Sequence, residues 1–160
     1  MKKLTLELLD YHQWANMKIL NHISQLSENV FLQEAEGTFS SISAVFAHIY
    51  MVDSLWFRRL NAQMQNGKRD SEFRNTGVAI QDLSALNKEM VHYIDEFYDE
   101  LTEVIYFNSE GTQFKNHIDE VVRHLCNHGT YHRGNTATMI RQLGYKGISS
   151  DYIFYLRTKR

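Results

Sequence analysis

From Leu4 to Leu26, apolar side chains recur at Leu4, Leu8, Tyr11, Ala15, Ile19, Ile23 and Leu26. Steps of three and four put these on one side of a helix, so the pattern predicts a first long helix. The run from Glu34 to Ser41 breaks that period, and Ser40 or Ser41 is placed to cap a second helix. Its inward stripe reads Ala44, Val45, His48, Val52, Leu55 and Arg59, and its end falls near Gln65. Residues 66–77 are polar and contain Gly67 and Gly77, which suits a surface crossover better than a packed element. The helical period restarts at Leu83, Leu86, Met90, Ile94, Phe97 and Leu101, a third helix. Val104 to Phe107 is β-branched and aromatic, and the residues after it centre on Gly111, the signature of a short hairpin or extended loop. A fourth helix is expected from about Asn116 to Leu143, with Gly144 as its stop. The tail from Tyr145 to Arg160 carries an aromatic cluster suited to packing back on the helices.

Composition sharpens this picture at one point. The chain has no proline, so nothing interrupts long helices. Four amphipathic helices with one long connection predict an all-α four-helix bundle, with a hairpin between helices three and four, in a single domain over residues 1–160. Charge then narrows the partners. Lys and Arg number 17 against 19 Asp and Glu, a net charge of −2, so no basic field is available for a nucleic acid or an anionic membrane. No apolar run approaches the roughly 18 residues of a membrane span. The single cysteine, Cys126, and the amphipathic start after Met1 point to the cytoplasm.

The candidate chemistry lies in the histidines. His124, His128 and His132 are spaced four apart, within roughly 80° of one another on a helix, on the stripe shared with Val121 and Met139. His48 lies among Ala44, Val45, Val52 and Leu55 and also points inward. Imidazoles from two helices thus converge. Three neutral imidazoles with a fourth position left open match a catalytic or substrate-binding zinc-type site, whereas a structural site closes with four protein ligands, often thiolates. Cys126 falls about 160° around the helix from His128 and points away. Periodicity leaves open whether His48 comes level with His128 and His132 or lies a turn above, and whether His124 joins them. The bland alternative for each is a core polar residue satisfied by its neighbours.

The run His124-Leu-Cys-Asn-His128-Gly-Thr-Tyr-His132-Arg-Gly-Asn, with Tyr11-His-Gln-Trp-Ala-Asn near the start and Ala47-His48 in the second helix, resembles the DinB family. The resemblance spans nearly the whole chain, with the motifs in the family's order. It implies a four-helix bundle, commonly homodimeric, with a metal site of one His from the second helix and two from the last. By that resemblance the ligands are His48, His128 and His132, the ion is nickel or zinc, and His124 stands outside the ligand set. The family name reports DNA-damage-inducible expression. Some members of the wider superfamily are thiol-dependent transferases or isomerases that join low-molecular-weight thiols to electrophiles.

These readings define two hypotheses. The first is a metal-dependent hydrolase or thiol S-transferase acting on a small molecule, with His124 as candidate general base and Tyr131 as a weaker one. The second is a non-catalytic metal-binding protein induced by stress or DNA damage. Both predict that metal affinity weakens as pH falls below about 6.5, because protons compete for the imidazoles. Gly129 and Gly134, each costing about 1 kcal/mol in a helix relative to Ala, are expected to mark close packing. Arg133 is expected in a structural ion pair or a subunit contact, and Trp14 and Asn127 in packing and hydrogen bonding inside the bundle.

Overall fold

Side-chain caps start three of the helices. Ser41 Oγ accepts from Ala44 N at 3.1 Å, Asn75 Oδ1 accepts from Val78 N at 2.9 Å, and Glu120 Oε2 accepts from His117 N at 2.9 Å. Each satisfies a backbone donor that a helix N-terminus leaves unpaired. The computed structural model describes residues 1–27, 29–62, 72–99 and 102–160. Its elements are α1 (Lys2–Ile23), α2 (Ile42–Leu60), α3 (Thr76–Phe97), β1 (Glu103–Phe107), β2 (Gln113–His117), α4 (Ile118–Gln142) and α5 (Tyr152–Arg157). The fold is therefore mostly helical with a small two-stranded sheet.

α1 packs against α3 and α4, and α2 packs against the same two helices. α2 and α3 run in the same direction: Ser43 Oγ donates to Phe73 O at 2.7 Å near their starts, and Tyr93 Oη donates to Leu60 O at 2.8 Å near their ends. That agrees with the long connection read from the sequence, of which residues 63–71 lie outside the described set. α2 closes at Leu60, earlier than expected, where Asn61 N donates to Phe57 O at 3.1 Å; Gln65 and Leu101 fall outside the described residues. The hairpin is present, antiparallel, with Val104 opposite Asn116 and Tyr106 opposite Phe114. Asn108 Oδ1 accepts from Glu110 N and Thr112 N across its turn, and Gly111 takes a φ of +81° that other residues avoid.

The inward faces differ in part from the stripes read in the sequence. Leu4 and Phe97 are 56% and 55% exposed, because they lie on terminal turns where the neighbouring helix no longer covers them. On α2, Phe46, Ile49 and Asp53 are buried while Leu55 is exposed, since this helix is covered by α3 and α4 together. Burying an aliphatic or aromatic side chain of this size contributes about 1.5–3 kcal/mol, so these faces fix the helix rotation. The tail packs back as expected, but through α5, too short to show a helical period. Tyr155 is buried there with its ring 5.7 Å from Trp14, and its hydroxyl donates to Asp10 Oδ2 at 2.8 Å. No helix among the described residues is long and apolar enough to cross a membrane.

Candidate metal centre

The buried face of α2 turns His48, two turns in from the Ser41 cap, towards α4. From α4, His128 and His132 lie one turn apart and meet it. His128 Nε2 is 3.1 Å from His48 Nε2 and 3.0 Å from His132 Nε2. One ligand nitrogen from each of the three lies within 4.8 Å of the others, so the cluster can hold a metal ion. His48 thus comes level with His128 and His132, the point that periodicity left open. Phe39, in the loop before α2, packs against His48 and His132 with ring centroids 5.4 and 5.3 Å away. His132 is buried, and His48 and His128 are half-buried, which leaves the cluster accessible from one side.

The three nitrogens cannot satisfy one another. A ring nitrogen carries either one hydrogen or one lone pair, so His128 Nε2 can make only one hydrogen bond with its two neighbours, and the third nitrogen is left over. A cation accepts all three lone pairs at once, which is the test the residues pass. Protonation is also held off. Burial lowers the His128 pKa to about 4, helped by His132 and His48. Burial followed by His48 lowers that of His132 to about 4, and burial lowers that of His48. Neutral imidazoles are the form that ligates. Burial thus favours proton competition with a metal setting in below 6.5.

The other residues singled out in the sequence fall as follows. His124 is exposed, with its ring 5.3 Å from Trp56 and 5.9 Å from His128, outside the three-histidine cluster. Tyr131 is 69% exposed beside His132. Cys126 points away, its Sγ donating to Leu8 O at 3.2 Å, and burial pushes its thiol up to about 12. Trp14 packs among Tyr11 and Tyr155. Asn127 is exposed, contrary to the expectation of an interior role, because it lies on the solvent side of α4. Gly129 does mark a close approach: a Cβ there would lie 2.4 Å from His12 Cε1 and 2.6 Å from Arg133 Nη1. Gly134 does not, since nothing lies within 4 Å of a Cβ built on it.

Beside the triad lies a buried polar network that the sequence did not reveal. Arg133 Nη1 donates to Asn16 Oδ1 at 2.9 Å and lies 3.4 Å from His12 Nδ1, while His12 Nε2 meets Asp53 Oδ2 at 3.0 Å. A guanidinium has only donors, so His12 Nδ1 must accept, and the His12 hydrogen sits on Nε2 and is donated to Asp53. Arg133 Nη2 also donates to Thr130 Oγ1 at 2.9 Å. The network ties α1, α2 and α4 together and accounts for His12 and Asn16 of the first motif and Arg133 of the last.

The family model for the DinB family matches residues 1–160. This chain belongs to the DinB family. Protein DinB of Bacillus subtilis (strain 168) is 28% identical over 165 residues, covering 98% of this chain and 95% of that protein. Among solved structures, a DinB-like protein from Bacillus cereus matches with a TM-score of 0.67 at 17% identity, covering 91% of this chain and 94% of that one, a likeness of fold. Residues of the quoted motifs build the triad and, with Asp53, the network beside it.

Proposed function

We propose that this DinB-family chain is a four-helix bundle that holds one divalent transition-metal ion, nickel or zinc, through His48, His128 and His132. On this reading it acts on a small molecule as a metal-dependent hydrolase or thiol S-transferase, a low-molecular-weight thiol being the favoured substrate. The observation that supports this is the convergence of three neutral Nε2 atoms that cannot satisfy one another. When bound, the ion supplies Lewis acidity, which lowers the pKa of a thiol or water at the open position. The three imidazoles hold that position with three ligands, and Phe39 covers His48 and His132 on one flank and keeps water from it. His124, 5.9 Å from His128 between ring centroids and open to solvent, is placed to take a proton from an incoming group and pass it outward. We read the protein as a cytoplasmic homodimer, with the exposed Ile105 and Phe107 on one face of the hairpin available as apolar contact surface.

Elemental analysis of untagged protein tests the centre. About one equivalent of metal is expected in the wild type and none in His48→Ala, His128→Ala or His132→Ala. Metal retained in all three variants would remove the reading. The reaction is tested by offering the loaded protein a panel of thiols and electrophiles. The second reading, a metal-binding protein without catalysis induced by stress or DNA damage, is favoured by the position of both candidate bases, His124 and Tyr131, outside the cluster and exposed. It predicts that His124→Ala retains biological function while metal removal abolishes it.

A further inference from the structure

Among the described residues, the buried polar atoms at the triad and its adjoining network without a hydrogen-bond partner include Asp53 Oδ1, His128 Nδ1 and Arg133 Nε. Asp53 is 5% exposed, and its other oxygen is held by His12 at 3.0 Å. The Asp53 charge reaches the His128 ring, where it opposes the effect of burial. A carboxylate oxygen left bare in the interior forfeits its hydration without compensation, so this one calls for an explanation. The three imidazoles also differ in what stands behind them. His132 Nδ1 lies 3.5 Å from the Asn135 amide nitrogen, whereas the Nδ1 of His128 is buried with no hydrogen-bond partner among the described residues. An imidazole that ligates through Nε2 carries its hydrogen on Nδ1, and that hydrogen needs an acceptor once the ring is buried.

We propose that Asp53 is the positioning residue of the metal centre: its free Oδ1 takes up the Nδ1 hydrogen of His128 when Nε2 of that ring ligates an ion. The bond is not made in this structure, where both atoms stand without partners. Closing it fixes the His128 tautomer and aims its lone pair at the centre. It also sets one negative charge beside a divalent ion that three neutral imidazoles leave uncompensated. His12, itself in contact with Arg133, holds the carboxylate by Oδ2 and leaves Oδ1 free. This gives the buried network a purpose at the site besides joining three helices. It also explains why the Tyr11-to-Asn16 motif, far from the ligands in sequence, accompanies them.

The inference rests on the metal reading, and the experiment separates the two. Zinc affinity is measured by competition with a chelator for the wild type and for Asp53→Asn, which keeps the shape and removes the charge. The variant is expected to bind about one equivalent about 10–100-fold more weakly. In zinc-loaded wild type, the His128 Nδ1 hydrogen is expected as a downfield NMR resonance protected from solvent exchange, a readout that needs no variant to fold. Unchanged zinc affinity in folded Asp53→Asn, or a His128 hydrogen that exchanges as freely as that of an exposed imidazole, overturns the role of Asp53 and leaves the centre standing. Wild type that takes up no zinc or nickel overturns the centre itself, and the role of Asp53 with it.

Discussion

Two pairs of residues one position apart on α4 serve two clusters built on opposite rules. His128 and His132 bring like atoms together, Nε2 against Nε2 at 3.0 Å, with the Nε2 of His48 completing the set. Gly129 and Arg133 serve a cluster of unlike atoms, in which guanidinium donors meet the acceptors of Asn16, His12 and Thr130. The second arrangement can match most of its donors with acceptors, leaving Asp53 Oδ1 and Arg133 Nε over. The first cannot, and lowering the pKa of its members only makes their lone pairs more available. Polar groups that match one another inside a protein hold it together; polar groups that converge without matching are arranged for something that binds.

If that contrast is sound, the two clusters respond to mutation in opposite currencies, stability for one and metal affinity for the other. Arg133→Ala should have the largest effect. It removes the guanidinium from Asn16 Oδ1 and His12 Nδ1 and leaves the buried Asp53 carboxylate without a countercharge, a loss of about 3–5 kcal/mol. Tm should fall by roughly 6–20 °C for a domain of this size. His48→Ala, which removes a half-buried group with no complementary partner, should change apo-protein stability far less. Urea denaturation of both variants decides the matter, and a metal-free His48→Ala less stable than Arg133→Ala would break the distinction.

The sequence carried much of the first cluster and little of the second, for a physical reason. Three-and-four spacing of apolar residues marks which way a helix faces, and His48, His128 and His132 lie on stripes that contain aliphatic neighbours. Asp53, His12 and Asn16 carry no such mark. Polar residues on a helix read as solvent-facing unless the partner that satisfies them is known, and their partner Arg133 lies more than a hundred residues from His12. The hairpin was legible because β-branched and aromatic residues flank Gly111, while six-residue α5 is too short to have a period. The faces of α2 were misjudged where one helix has two neighbours, since no single stripe then describes burial.

Gly129 and Gly134 look alike in sequence, which makes them a sharper probe of the same contrast. Gly129→Ala places a methyl group 2.4 Å from His12 Cε1, a ring held by Asp53 and unable to retreat. Overpacking of this kind costs about 1–3 kcal/mol, against about 1 kcal/mol gained in helix propensity. The variant should therefore be destabilised. Gly134→Ala meets no atom within 4 Å and keeps the propensity gain, so it should be stabilised by up to about 1 kcal/mol. Denaturation midpoints of the two should move in opposite directions; a shift of the same sign would mean that the network beside Gly129 is looser than its distances imply.

The smallest effect separates the clusters by pH. His128 and His132 have a pKa of about 4 in the folded chain against an ordinary value of 6.5, lowered first by burial. Between those values the unfolded chain binds the extra protons, so acid favours unfolding there. Stability of the metal-free protein should be level above 6.5, fall as pH drops from 6.5 towards 4, and stop responding to these two groups below that. Solvent screening of half-buried His128 limits the loss to a few degrees in Tm. Carboxylates that titrate in acid act in both proteins alike, so the comparison is between wild type and the double variant His128→Ala/His132→Ala. The fall between pH 6.5 and 4.5 should shrink in the variant, and excess zinc should suppress it in the wild type, because an ion on the lone pairs excludes the proton. An equal fall in both proteins would assign the acid sensitivity elsewhere and remove the evidence that the triad stands neutral and ready to ligate.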